Sequence, residues 1–235
     1  MRVLSIVFVL IFACFTAAWG MEAKIVRLSG EVKIRRGIEE TWHPASVEMI
    51  LKEIDTITTG EGGEVLLQID EGPTFRLGAN AILDIADLKK ITEQELFLYL
   101  TRQKVDQLKP GKGRRPLRTG NVSAVHGEDK SADQTKPEHT GIPWTPETNG
   151  AKALLEQAYY TNAILKLHKI AQRYPAIEKC REFHCSLGQA FEALNEPGQA
   201  IDAYETAIGV ENNADCGSED DWEQAAREGL KRLKE

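Results

Sequence analysis

The chain has 235 residues, a length that suits one or two domains. Hydrophobic residues make up 42%, enough to fill packed cores and to exclude wholesale disorder. The formal net charge of −7 excludes a generally basic surface, so no nucleic-acid partner is expected.

Met1-Arg2 is followed by an apolar run from Val3 to Ala18, interrupted only by Ser5 and Thr16. A short positive start, an apolar centre and small residues at the end have the form of an export signal. Ala18-Trp19-Gly20 places small residues where a signal peptidase reads, so residues 1–20 are expected to be removed by cleavage near Gly20. Two alternatives stay open: an uncleaved membrane anchor over residues 3–18, or a lipoprotein acylated at Cys14. All three put the remainder in the periplasm or elsewhere outside the cytoplasm. In such a compartment a disulfide is permitted. Cys180, Cys185 and Cys216 remain in the mature chain, and an odd number leaves at least one thiol over. Cys180 and Cys185 fall on one expected helix, where bridging them is awkward, so the expected pair is Cys216 with Cys180 or Cys185.

Residues 22–127 read as an all-β domain, a sandwich or roll of short strands. Glu31-Val32-Lys33-Ile34-Arg35 alternates, with Val32 and Ile34 on one face. Val65, Leu67 and Ile69 share a face in a later strand, and Phe75 with Leu77 and Leu83 with Ile85 repeat the pattern. Gly60, Gly62 and Gly63 permit positive φ in the turn before Glu64. Trp42 is expected to pack on this core; Glu93 to Tyr99 suits a strand or a short helix, and a strand over Leu96–Leu100 is the favoured reading. Asp55 and Asp84 adjoin turns, where aspartates accept backbone hydrogen bonds more often than they catalyse.

Gly30-Glu31-Val32, Trp42-His43-Pro44-Ala45, Leu51 to Asp55, Thr58-Thr59-Gly60, Val65-Leu66-Leu67, Gly72 to Leu77 and Leu83 to Ile85 together resemble the FecR-like domain family. Thr119 to Gly127 is similar to that family's late threonine-to-glycine strand. The resemblance, over about residues 24–127, implies a strand-rich exported module. It carries no chemical signature. The family's regulators need a cytoplasmic segment ahead of the membrane span, and only Met1-Arg2 stands there. The module therefore carries over, and a membrane-anchored envelope signalling component related to those regulators is the alternative function.

Arg102, Lys104, Lys109, Lys112, Arg114, Arg115 and Arg118 cluster around Pro110-Gly111 and Gly113. They are candidate contacts for an anionic envelope polymer or for lipid headgroups. The ordinary alternative is a solvated hairpin loop. Residues 128–149 are rich in charged residues, Thr, Pro and Gly, and Pro137, Pro143 and Pro146 argue against regular helix, so this stretch is expected to be a linker.

From residue 150 to 235 the apolar period changes from two to about 3.6, the mark of helices. Leu187, Gly188 and Phe191 lead through Asn195-Glu196-Pro197-Gly198 to Ala200, Tyr204 and Ala207. Gly188 and Ala200 are small where two helices approach, and Leu187, Phe191, Tyr204 and Ile208 fill the space between them. The spacing resembles a tetratricopeptide repeat (TPR). A weaker copy runs from Ala151 and Leu154 through Ala163, Ile164 and Leu167 to Tyr174-Pro175, and Trp222 to Leu233 reads as a terminal covering helix. The resemblance implies helical hairpins that bind a protein or peptide partner.

No nucleophile motif, phosphate loop or good metal spacing stands out, so no enzyme activity, catalytic residue, cofactor or metal is expected. Cys180, His184 and Cys185, with Cys216 as a further ligand, are the one metal set to weigh, and export favours a disulfide over a thiolate site there. The expected function is a non-enzymatic binding or scaffold protein of the bacterial cell envelope. Nothing in the residues sets the oligomeric state.

Overall fold

The computed structural model describes residues 20–107, 142–211, 216 and 220–235. The first part holds eight strands: β1 (Glu22–Ser29), β2 (Val32–Arg35), β3 (His43–Pro44), β4 (Ile50–Lys52), β5 (Thr56–Thr59), β6 (Glu64–Ile69), β7 (Thr74–Leu77) and β8 (Ile82–Asp84). They pair antiparallel in two four-stranded sheets, in the orders β4-β1-β6-β7 and β3-β2-β5-β8. Strand alternation sends Ile25, Leu67, Phe75 and Leu77 of the first sheet, and Ile34, Ile57 and Leu83 of the second, into one shared core. The faces read from alternation in β2 and β6 are the faces observed.

An unpaired sheet edge invites association, and three of the four edges here, those of β4, β7 and β3, are blunted. On β4, Arg36 Nη1 donates to the Ile50 carbonyl (2.8 Å) and the Lys52 N–H donates to Asp55 Oδ2 (2.9 Å). On β7, the Gln157 amide acts as a stand-in strand: the Arg76 N–H donates to its Oε1 (2.7 Å) and its Nε2 donates to the Arg76 carbonyl (2.8 Å). β3 is two residues long and ends in Pro44, which has no N–H to offer.

A short 3-10 turn, Ile85–Leu88, ends the β part. Among the described residues six α-helices follow: α1 (Glu93–Gln107), α2 (Thr145–Glu156), α3 (Tyr160–Arg173), α4 (Arg181–Ala193), α5 (Pro197–Gly209) and α6 (Asp220–Lys234). The chain is thus a β part followed by a helical part. α2 pairs with α3 and α4 with α5, and α6 packs against both α4 and α5.

Three sequence expectations are corrected. Leu96–Leu100 is helical, inside α1, because Thr92 and Glu95 form a capping box that starts a helix: the Thr92 N–H donates to Glu95 Oε2 (2.8 Å) and the Glu95 N–H to Thr92 Oγ1 (3.3 Å). Helix α2 begins at Thr145, so residues 145–149 of the expected linker are helical; Pro146 lies in the first turn, where its missing N–H costs nothing. Trp42 is half-buried under the Arg35 guanidinium, 5.4 Å from the ring centre, rather than in the core. Of the three turn glycines, Gly62 takes positive φ, at 72°. The expected export signal in residues 1–19, most of the basic cluster and the late strand at 119–127 lie outside the described residues.

Candidate functional site

The two parts are joined through side chains. Gly150 on α2 lies against the β8 backbone; a Cβ there would fall 2.1 Å from the Ile82 carbonyl oxygen, so no other residue permits this approach. Ala153, Leu154 and Ala163 of α2 and α3 complete the β core, and Tyr159 meets Phe75 edge-on with ring centres 5.6 Å apart. Asn162 Nδ2 donates to the Asp87 carbonyl (2.8 Å) and the Lys89 carbonyl (2.7 Å).

Beneath these contacts is a buried charge cluster. Lys166 Nζ lies 2.7 Å from Asp87 Oδ2 with both side chains at most 5% exposed, and Lys169 Nζ lies 3.0 Å from Asp87 Oδ1. Burial pushes the Asp87 carboxyl up, but the two ammonium groups outweigh it and hold it below the usual carboxylate range. Sequence reading missed this cluster. The available signal was Lys166 itself, set between Ala163 and Ile170 on the apolar stripe of α3.

Between α4 and α5, the residues chosen from the repeat-like spacing converge. Leu187, Phe191, Ala200, Tyr204 and Ala207 are all buried. A Cβ on Gly188 would come within 2.6 Å of the Tyr204 ring, and one on Gly229 of α6 within 2.4 Å of it. Tyr204 Oη donates to Glu192 Oε2 (2.6 Å), and Arg232 of α6 grips the same carboxylate with Nε at 2.8 Å and Nη2 at 3.0 Å. The Arg232 hydrogen bonds hold the Glu192 carboxyl below its usual range, against a smaller upward push from burial.

Cys180 stands one residue before α4 and is disulfide-bonded to Cys216. Cys185 lies within α4 as a free, buried thiol whose pKa burial pushes up to about 12. The bond takes up Cys180 and Cys216, two of the thiols weighed with His184 and Cys185 as metal ligands. His184 Nε2 donates to the Glu178 carbonyl at 2.7 Å. Among the described residues, no three His, Cys, Asp or Glu side chains are grouped to hold a metal ion. Asp55 accepts from the Gly37 N–H (3.0 Å), the Lys52 N–H and Arg36 Nη1 (2.7 Å), and Asp84 from Thr56 Oγ1 (2.8 Å), so both serve the β fold.

One open groove stands out on the helical part. It is about 410 Å³ and runs between α1 and the α4–α5 pair. Leu96, Leu187 and Phe191 are buried in its lining, Leu100, Leu194 and Ala203 are partly exposed, and Phe97 of α1 stands 66% exposed beside them. Among the described residues, Glu93, Glu196 and Asp202 are the carboxylates that line it, and His168, His184, Thr101, Gln199 and Thr206 are its other polar residues. Burial lowers the His168 pKa, favouring the neutral ring. Of the basic cluster, Arg102 is exposed on α1 and Lys104 lies on the same helix; Lys109, Lys112, Arg114, Arg115 and Arg118 are outside the described residues.

Comparison with protein-family models, curated proteins and solved structures returned no match. Among the described residues, no helix is long and apolar enough to cross a membrane.

Proposed function

We propose that this chain is a non-enzymatic binding protein of the bacterial cell envelope, working outside the cytoplasm. In this reading the β part is a FecR-like module that engages an envelope component. The helices form two TPR-like hairpins with a covering helix, and they engage a protein or peptide. The groove between α1 and the α4–α5 pair carries the reading: it is concave, predominantly apolar and set on regular helices, the form in which helical arrays receive extended or helical segments. The disulfide between Cys180 and Cys216 supports an oxidising compartment. The basic residues from Arg102 to Arg118 suit an anionic envelope polymer.

The test is expression of the full chain with its own N-terminus in a bacterial host, followed by fractionation and intact mass with and without reductant. The reading expects a periplasmic product beginning near Met21 that gains two hydrogens on reduction. A cytoplasmic, fully reduced product would contradict it. A membrane product retaining residues 1–18 would move the assignment to an anchored signalling component.

A further inference from the structure

We infer that the groove between α1 and the α4–α5 pair takes a cationic segment of another protein, one that presents aliphatic or aromatic side chains from a stretch of Lys or Arg. This rests on the peptide-binding reading above and goes further by naming the partner's chemistry.

Two observations carry it. The first is charge. Glu93 comes from the start of α1, Glu196 from the α4–α5 turn and Asp202 from α5, so three separate elements each contribute a carboxylate to one groove. Among the described residues, no Lys or Arg lines it. Glu93, Glu196 and Asp202 are exposed, and among the described residues none of the three forms an ion pair. Three carboxylates elsewhere are held in ion pairs, Glu64 with Arg76, Glu147 with Arg173 and Glu192 with Arg232, whereas those of the groove stay open to a partner. An acidic partner would meet like charge at all three positions, whereas a basic one finds complementary charge at each.

The second observation is the apolar contrast within the same lining. Phe97 is 66% exposed although Leu96, its neighbour in sequence, is 5% exposed against the helical core. Phe97 and Leu100 of α1 line the groove together with the buried Leu187 and Phe191 of α4. An exposed aromatic beside a buried apolar floor has the composition of an anchor pocket, and the carboxylates around it have that of a polar rim. Phosphate and other anionic ligands are disfavoured by the same charges.

The experiment uses the mature chain, residues 21–235, and two fluorescein-labelled, end-capped peptides of about fourteen residues. One has Leu at helical spacing among Lys; the other has Glu in place of every Lys. Affinities are read by anisotropy. Three variants accompany the unaltered chain: Phe97→Ser, the pair Glu196→Lys with Asp202→Lys, and the pair Glu61→Lys with Glu71→Lys on exposed β turns as a charge-matched control. All four positions altered to Lys and Phe97 are exposed, and circular dichroism melts establish that each variant is folded.

The Lys peptide is expected to bind at least tenfold more tightly than the Glu peptide. Phe97→Ser should weaken it at least tenfold, and reversal at Glu196 and Asp202 should invert the preference, while reversal at Glu61 and Glu71 leaves it unchanged. Equal binding of both peptides, lost in Phe97→Ser, would overturn the cationic preference and leave the peptide-binding reading standing. Binding of neither would overturn both. Equal loss from the control reversal would reduce the effect to net charge and overturn the site. Two other occupants are also distinguished. Self-association abolished by Phe97→Ser would assign the groove to a second copy. Binding that appears only after Lys109, Lys112, Arg114, Arg115 and Arg118 are changed to Ser would assign it to the chain's own basic stretch. Either result would overturn the proposal.

Discussion

At Asp87, burial and charge pull in opposite directions. Removing a carboxylate from water is costly, and only the nearby Lys166 and Lys169 ammonium groups, with their hydrogen bonds, make the ionised form the favoured one. Asp87→Asn would keep the shape and leave Lys166 buried without its counter-charge. Breaking one side of such a pair costs about 3–5 kcal/mol, and that loss is expected in urea unfolding near neutral pH. The acid dependence follows from the sign of the shift. The folded carboxyl lies below its ordinary value of 3.8, so its contribution is fully present above that value and is lost as pH falls through the lower folded one. Asp55, held down in the same direction by its N–H donors and Arg36 against the upward push of burial, adds to the same acid limb. Urea midpoints measured from pH 6 to pH 2 should therefore drop below about pH 4 in the unaltered chain, and the drop should be shallower in Asp87→Asn. An unchanged acid limb would contradict this account. Half of the cluster was legible in the sequence. Lys166 in an apolar helical stripe signals a buried partner, but nothing local points to Asp87, whose carboxylate is 79 residues away.

The elements divide by how local their causes are. β2 and β6 were readable because alternation is a property of the strand itself. The α4–α5 pair was readable because small and large residues recur at helical spacing, and Tyr204 seated against Gly188 realises that pattern. α1 was misread because a short apolar run such as Leu96-Phe97-Leu98 fits a strand or a helix equally, and the run is not a core segment: Phe97 and Leu98 are both 66% exposed. The capping pair Thr92 and Glu95 decides the matter, and it was present in the sequence unused. The α4–α5 contact yields a sharp prediction. Gly188→Ala places a Cβ within 2.6 Å of the buried Tyr204 ring, and overpacking of this kind costs about 1–3 kcal/mol. Alanine's better helix propensity returns at most about 1 kcal/mol, so the net effect should be a lower melting temperature. Gly209→Ala, at the end of α5 with nothing within 4 Å, should leave it unchanged or raise it. Equal melting temperatures for the two variants would contradict the packing described.

On the scale of the whole molecule, the sequence suggested two domains joined by a linker up to residue 149. What it could not display is the seam between the two parts, made largely of side chains that reach backbone groups far away in the chain: Gln157 to Arg76, Asn149 to Asn80, Asn162 to Asp87 and Lys89. No periodicity encodes such contacts. Their consequence is that α2 and α3 belong to both cores, with Ala153, Leu154 and Ala163 in the β core and Ala151, Ile164 and Leu167 in the helical one. The groove is therefore carried on a continuous body, and a ligand held there meets a surface fixed relative to the sheets.

Native-state hydrogen exchange of the disulfide-intact mature chain, followed across low urea concentrations, shows whether the sheets and helices open together. With α2 and α3 shared between the two cores, the slowest amides of β1, β5 and β6 and those of α3 and α4 should merge into one opening reaction, with a common free energy and urea dependence. Helical amides that keep their protection while the sheets open, or the reverse, would contradict it.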